Sequence, residues 1–377
     1  MFQSVSQANG ELTLSNLRDS PGSTNERLQI LCPDGENVSS GIQELLHGKS
    51  DVLDHEAVLS QYSWLMEDRT DCILSPDSDG FLSGLLMSHI FNWKIRGFYD
   101  GKVLVVRRGI DVSKCVFLDI EIFRNGVRSI GHHMLLYNRN IAHENWINWN
   151  TCLQPNILRN YDALHSFRIK YPLATVHLLL ATVGVQTKVR LPGSSICPLL
   201  FTDGTFNVLF KYPENVLDWL RYLGAEQIDN PLNTLFMSKD NTVYSLMVAM
   251  DTFFKQRDTF SAARERGDRL RISQRDGTFA NLITESSRTS IKDEARKRAE
   301  GFITLLGQLT GWTYNEKNWD WTDLVTKKFT KKITKTLNGT AFNKIILDNP
   351  LSWAITAQKQ MEYTIELTDK LLDRMID

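Results

Sequence analysis

No stretch of this 377-residue chain approaches the ~18 consecutive apolar residues that a membrane-spanning helix needs, so no span is expected. The net charge of −1 leaves no overall polyelectrolyte attraction to nucleic acid or to a lipid surface. Cysteines are few and scattered, at Cys32, Cys72, Cys115, Cys152 and Cys197. None forms a C-x-x-C pair, and an odd number of isolated thiols fits a reducing, cytoplasmic setting. Cys72 and Cys115 lie in apolar runs and read as small buried hydrophobes. The start has no basic region followed by an apolar stretch, so no secretory signal is expected. Internal repeats and low-complexity tracts are also missing.

What remains is an ordinary globular composition, 42% hydrophobic and 23% charged, and enough chain for two domains of roughly 150 residues each. Residues 1 to about 25 are polar and read as a loosely ordered lead-in or a strand appended to the core. Asp71-Cys-Ile-Leu-Ser75 is a short apolar run that meets Pro76, which resists helix at the residue before it. A helix is predicted over 81–92, with Leu82, Leu85, Leu86 and Ile90 on one face. Trp93–Tyr99 and Val103–Arg107 read as strands around an Asp100-Gly101 turn. Val116–Ile122 and Val127–Ile130 are β-rich runs, and Cys197–Thr202 is a fifth strand candidate. Helices are expected over 171–184, with Pro172 in the first turn, and over 214–223. Strands alternating with helices imply an α/β fold with a parallel sheet and helices on both faces. Residues 1–224 are assigned to that domain. From 225 to 377 the pattern turns to helices with charged faces, giving a mainly helical C-terminal domain. Its last helix is expected over Leu351–Ile376, where Met361, Ile365, Leu367, Leu371, Leu372 and Met375 form an apolar stripe suited to core packing, a partner or a second copy.

Four clusters in the first part carry chemistry: Asp77-Ser-Asp79-Gly80, Asp119, Gly131-His132-His133, and Asp203 in Thr-Asp-Gly. Each comes after an apolar run read as a strand, and ligands in open α/β sheets sit at the carboxyl ends of strands. Asp77 and Asp79 can serve different cations, and Gly80 permits a tight turn; helix N–H groups near Phe81 and Leu82 favour an anion. Taken alone, Asp77 reads sooner as an N-cap, His132-His133 as a polar surface pair, and Asp203 as a turn residue. Asp119 closes an apolar strand, where a carboxylate is costly unless paired or bound to a cation.

This ordered set resembles the DHH phosphoesterase superfamily. That family includes RecJ-type single-strand exonucleases, oligoribonucleases, cyclic-dinucleotide phosphodiesterases and family II pyrophosphatases. The resemblance covers about residues 70–215 and rests on Asp77-Ser-Asp79-Gly80-Phe-Leu-Ser83-Gly84, Asp119, Gly131-His132-His133 and Asp203. It implies Mn²⁺ or Mg²⁺ as cofactor. Asp79, Asp119, His132 and Asp203 would hold one ion, Asp77 with Asp119 a second, and His133 would contact phosphate. The implied reaction is in-line hydrolysis of a phosphodiester by a metal pair about 4 Å apart. Two positions depart from the pattern: Ile73 stands where many relatives have a ligating His, and Gly131 where an Asp precedes the two histidines.

Between Lys255 and Lys335 the chain carries 18 Lys and Arg against 11 Asp and Glu, a net of +7. Arg264, Arg266, Arg269, Arg271 and Arg275 form one run. Lys327, Lys331 and Lys335 recur at helical spacing, with Lys328 and Lys332 beside them. Trp312, Tyr314, Trp319 and Trp321 precede them. Lysines for phosphates and aromatics for bases suit single-stranded nucleic acid; the same residues equally suit a solvated helix face beside a packed aromatic cluster. Three functions are open: a metal-dependent phosphodiesterase or exonuclease on single strands or short oligonucleotides; the same chemistry on a small nucleotide; and a decayed, non-catalytic binding subunit. The balance leans towards an enzyme.

Overall fold

In the computed structural model the described residues are 40–141, 144–261, 267–285 and 288–366. Cys32, Arg264, Arg266 and positions 367–376 of the expected last helix lie outside them, as does the polar lead-in.

Twelve strands are present among the described residues: β1 Asp71–Leu74, β2 Lys94–Tyr99, β3 Val103–Arg107, β4 Val116–Leu118, β5 Arg128–Ile130, β6 Cys152–Leu153, β7 Leu282–Glu285, β8 Arg288–Ile291, β9 Leu324–Lys328, β10 Thr330–Thr334, β11 Ser352–Ala357 and β12 Gln360–Ile365. The first nine form one mixed sheet in the order β6-β5-β4-β1-β2-β3-β9-β8-β7. From β6 to β2 the pairing is parallel; from β2 outward it is antiparallel. The molecule is therefore α/β with the parallel core expected from the alternation, to which an antiparallel extension is added. Strands β1, β3 and β4 are almost wholly buried, as near-continuous apolar runs in a covered parallel sheet should be.

Register brings three motifs to one edge. Leu74 lies opposite Leu118, and Leu118 opposite Ile130. Three neighbouring strands thus end level, and the Asp77 loop, Asp119 and the twin histidines all leave the same edge. The motif helix Ser78–Phe91 starts at once. It is buried from Ser78 to Ser88 on every side, so Leu82, Leu85 and Leu86 are core residues within a fully covered helix. Phe81 packs edge-on against Phe98 of β2 and against Phe302 of the helix Asp293–Thr310.

Several expectations are corrected. The Cys197 run is a helix, Ile196–Phe201, not a strand. A short buried apolar run has no period to distinguish the two, and Pro198 is tolerated in a first turn. Asp203 therefore leaves a helix end, not a strand end. The β-rich run at Val116 stops at Leu118, because Asp119 turns to φ +60°. The long helix expected over Leu351–Ile376 is, as far as it is described, the hairpin β11–β12. Its Trp, Ile, Thr and Tyr content favours a pleated surface, and Trp353 and Ile355 alternate into the core. The part after residue 225 contains β7 to β12 between its helices and is not mainly helical. Strand β9 pairs with β3, Leu104 facing Lys327, and the described residues from 41 onward form one compact unit that spans the expected boundary at 224. No described helix is long and apolar enough to cross a membrane.

Candidate metal centre

The first loop is built around Gly80. A Cβ there would lie 1.9 Å from the Ser75 carbonyl oxygen, so only glycine lets the helix start this close to β1. Asp77 caps that helix, accepting the Gly80 N–H at 3.4 Å, while its backbone carbonyl takes the Phe81 N–H at 2.9 Å. The capping reading of Asp77 holds, and the Gly80 and Phe81 N–H groups are already used. Asp77 also lines a cavity of about 600 Å³ together with Asp119, Glu121 and His133.

Asp79 points the other way. Its two oxygens accept the backbone N–H groups of Thr175 at 2.6 Å and Val176 at 2.9 Å. These open the helix Thr175–Leu179, which continues through a wider π turn, Leu180–Gly184. The Thr175 hydroxyl donates to Asp119 at 2.8 Å and stands 2.9 Å from His132 Nδ1. His132 Nε2 lies 3.0 Å from Asp203 Oδ2. The ring of His133 lies against that of His132, tilted by 32° with centroids 4.0 Å apart, and its Nδ1 is 4.0 Å from Asp119. Donor atoms of Asp119, His132, His133 and Asp203 all lie within 4.8 Å of one another. Such a cluster of acid and imidazole can hold a metal ion. His133, assigned by the resemblance to phosphate, is among the converging donors, while Asp77 and Asp79 stand outside that set. His132 Nδ1 is 3.8 Å from Asp79, which places Asp79 directly behind the cluster.

The electrostatics mark the same place. Burial raises the Asp119 carboxyl well above the usual range, and Asp79, Asp77 and Asp203 add to it. Burial and the Asp203 charge lift Asp79 to about 6, and the same two causes raise Asp77. For Asp203 burial also opposes ionisation, but the hydrogen bond and charge of His132 outweigh it and bring it to about 2. Burial lowers His133, yet the hydrogen bond and charge of Glu121 overcome this and lift it to about 9. Crowded carboxylates that resist ionisation without a cation fit a divalent-metal donor set. Two members, Asp119 and Asp203, also hold left-handed backbone at φ +60° and +51°. Such conformations cost free energy and persist where surrounding structure imposes them.

Ile73, at the first departure, is wholly buried in a second apolar cluster with Tyr99, Val106 and Phe117, and supplies no donor. Other residues of the site are not legible from the sequence. Thr175 links both acids to His132, with only an N-terminal helix signal to announce it. Glu121 sits two residues past Asp119 inside what reads as a strand. The cavity of about 600 Å³ is walled by Lys102, Arg269, Arg271, Arg275 and Lys331. A second hollow, about 690 Å³, opens on the other side of His132 and His133 and is lined by Phe167, Arg168, Lys170, Tyr171 and Tyr212. Strand β11 runs between them, Ala354 lining both.

The lysine face does not exist as a helix. Lys327 and Lys328 are on β9, Lys331 and Lys332 on β10, and Lys335 on the bend beyond. The β-branched and aromatic residues of Val325-Thr-Lys-Lys-Phe-Thr-Lys-Lys-Ile-Thr win over the charge spacing. Lys327 pairs with Glu366, Lys331 with Glu362 at 2.7 Å, and Lys328 lies over Phe279. Lys331 alone of the five reaches the cavity wall. Trp312, Trp319 and Trp321 are buried core residues, not a stacking surface.

No family model, curated protein or solved structure matches this chain.

Proposed function

We propose that this chain is a Mn²⁺- or Mg²⁺-dependent phosphoesterase that hydrolyses phosphodiester bonds in short oligonucleotides or nucleotide-sized substrates. The observation that carries the reading is the convergence of Asp119, His132, His133 and Asp203 beside a cavity whose wall carries Lys102, Arg269, Arg271 and Arg275 as well as Asp77, Asp100 and Glu121. The resemblance to the DHH phosphoesterases, three of whose motifs leave one sheet edge here, supports it, and mixed carboxylate and imidazole donors suit Mn²⁺. Asp119, His132 and Asp203 would hold the ion, with His133 completing the set. Bound there, a divalent cation supplies Lewis-acid stabilisation of the charge that develops on a phosphoryl group.

The protein's own groups do the rest. Asp79 fixes the helix from Thr175, and Thr175 orients Asp119 and His132. Arg269, Arg271, Arg275 and Lys102 present positive charge to an anionic substrate. With the expected lysine helix gone, no continuous lysine face remains to track a long strand, and Lys102, Arg269, Arg271 and Arg275 at one hollow favour a short substrate.

A second reading, a metal-binding subunit without hydrolysis, has one observation behind it: Ile73 offers no donor at the second site, and Asp79 already serves two N–H groups. Calorimetric titration with Mn²⁺, paired with cleavage of a labelled tetranucleotide and of bis(p-nitrophenyl) phosphate, separates the two. Binding and cleavage both lost in Asp119→Ala and His132→Ala support the enzyme. Binding without cleavage supports the subunit. No Mn²⁺ binding at millimolar concentration sinks both.

A further inference from the structure

Glu121 is a buried acid that the proposed chemistry leaves without a task. It is only 3% exposed, and its carboxylate is turned into the loop that carries the two histidines. One oxygen accepts the backbone N–H of His133 and also that of Met134, the latter at 2.8 Å. The other lies 3.6 Å from Nδ1 of His133. The segment around it is tied down: the Ile120 N–H reaches the Ile130 carbonyl at 3.2 Å, and the Ile122 N–H reaches Ser129 Oγ at 3.1 Å.

Gly131 explains why there is room. A Cβ at 131 would fall 2.6 Å from Glu121 Cδ and 2.7 Å from Oε2. The backbone of Gly131 is not in the left-handed region, so glycine is required here for space and not for torsion. One small volume beside the twin histidines therefore admits a carboxylate from position 121 or a side chain at position 131, never both. In the DHH pattern an acid stands at the position of Gly131. Here the acid arrives from ten residues upstream.

We infer that Glu121 is the positioning residue of the twin-histidine loop: it pins the loop through two N–H groups and holds Nδ1 of His133 beside its second oxygen. Carboxylates behind a functional imidazole commonly fix its tautomer and orientation, and their loss typically costs 10- to 100-fold in metal affinity. The bearing on metal affinity rests on the proposed metal centre; the orientation of the ring does not.

The test uses the full chain, labelled with ¹⁵N-histidine and free of metal, and reads the ring nitrogens by long-range proton–nitrogen correlation. Mn²⁺ affinity is then measured by titration. In the wild type, His133 Nδ1 should carry the signature of a proton facing a carboxylate. Glu121→Gln keeps the volume and one acceptor, so the fold survives while that signature shifts. Glu121→Ala should remove it and weaken Mn²⁺ about 10- to 100-fold. Adding Gly131→Asp to Glu121→Ala should restore both, because the vacated volume takes the new carboxylate. An unchanged His133 signature in Glu121→Gln and Glu121→Ala overturns the inference, as does a double variant that restores neither property. A Glu121-dependent signature in a wild type that binds no Mn²⁺ leaves the positioning role standing and removes the metal centre instead.

Discussion

Asp79 reaches across 96 residues of sequence to take the Thr175 backbone N–H at 2.6 Å, and so fixes the start of the helix that backs the site. This acid, read from its motif as a ligand, acts in the structure first as a clasp between the motif helix and the helix from Thr175. The clasp can be opened by mutation.

Removing it should be costly. In Asp79→Ala two buried N–H groups lose their acceptor, at about 1–3 kcal/mol each for an unsatisfied group. Denaturant unfolding should show the loss even without metal. A change under about 0.5 kcal/mol would mean that the pair is not made in solution.

The same residue sets a pH dependence. Its folded value, about 6, lies above the ordinary 3.8, so the protonated form favours the folded chain. That contribution is fully present below 3.8 and is lost as pH rises through 6. The metal-free wild type should therefore lose stability relative to Asp79→Asn between about pH 4 and 7, as read by thermal unfolding of both at several pH values. Saturating Mn²⁺ should flatten the difference, because the cation replaces the proton as the counter-charge.

Asp119→Asn should separate stability from function. Burial and three neighbouring acids make its ionised form unfavourable, and a neutral isostere removes that cost. The expected outcome is a higher melting temperature without metal and loss of Mn²⁺ binding, measured by calorimetry on the same sample. A variant that melts earlier and still binds would contradict the assigned role.

The cavity arginines and the lysine strands make opposite predictions. Substituting Arg269 or Arg275 by Gln should raise KM for a short phosphodiester and reduce the salt dependence of binding, since each lost phosphate contact removes released counterions. Lys328→Ala and Lys332→Ala should leave kcat/KM within about twofold of wild type, since neither side chain lines the cavity. Equal effects from both sets would restore the extended strand as the binding surface.

Trp321→Ala should behave as a core truncation. The ring is buried, stacked 6.1 Å from Trp319 and 5.3 Å from Phe98, so a loss of about 3–5 kcal/mol is expected. A stable variant with weakened oligonucleotide binding would mean that the indole is a recognition surface after all.

Local signals carry much of the first half. Apolar runs ending in Ser75-Pro76, Asp119 and Gly131 mark strands β1, β4 and β5, and parallel pairing does bring Asp119 and His132 to one edge. The motif helix and the helix Pro213–Tyr222 are also legible. Where spacing misleads, tertiary context overrides it. Charge at every fourth residue suggests a helix for Lys327 to Lys335, but β3 offers β9 a partner strand. The apolar content of Leu351 onward suits a stripe or a pleat equally, and only the neighbouring β10 decides. Glu121 cannot be found from one sequence at all, because its meaning depends on the empty volume at Gly131.

The indole of Trp353 donates to the Leu135 carbonyl at 2.9 Å, which locks β11 over the twin histidines although 218 residues separate the two in sequence. During synthesis, the clustered acids and imidazoles emerge long before this strand does. A chain halted in between would hold its donors bare, without the wall that divides the two hollows. Any ligand selectivity of the cluster would thus depend on the presence of β11, and a proteolytic cut between the helix Gly339–Leu347 and β11 should loosen recognition before it loosens the sheet.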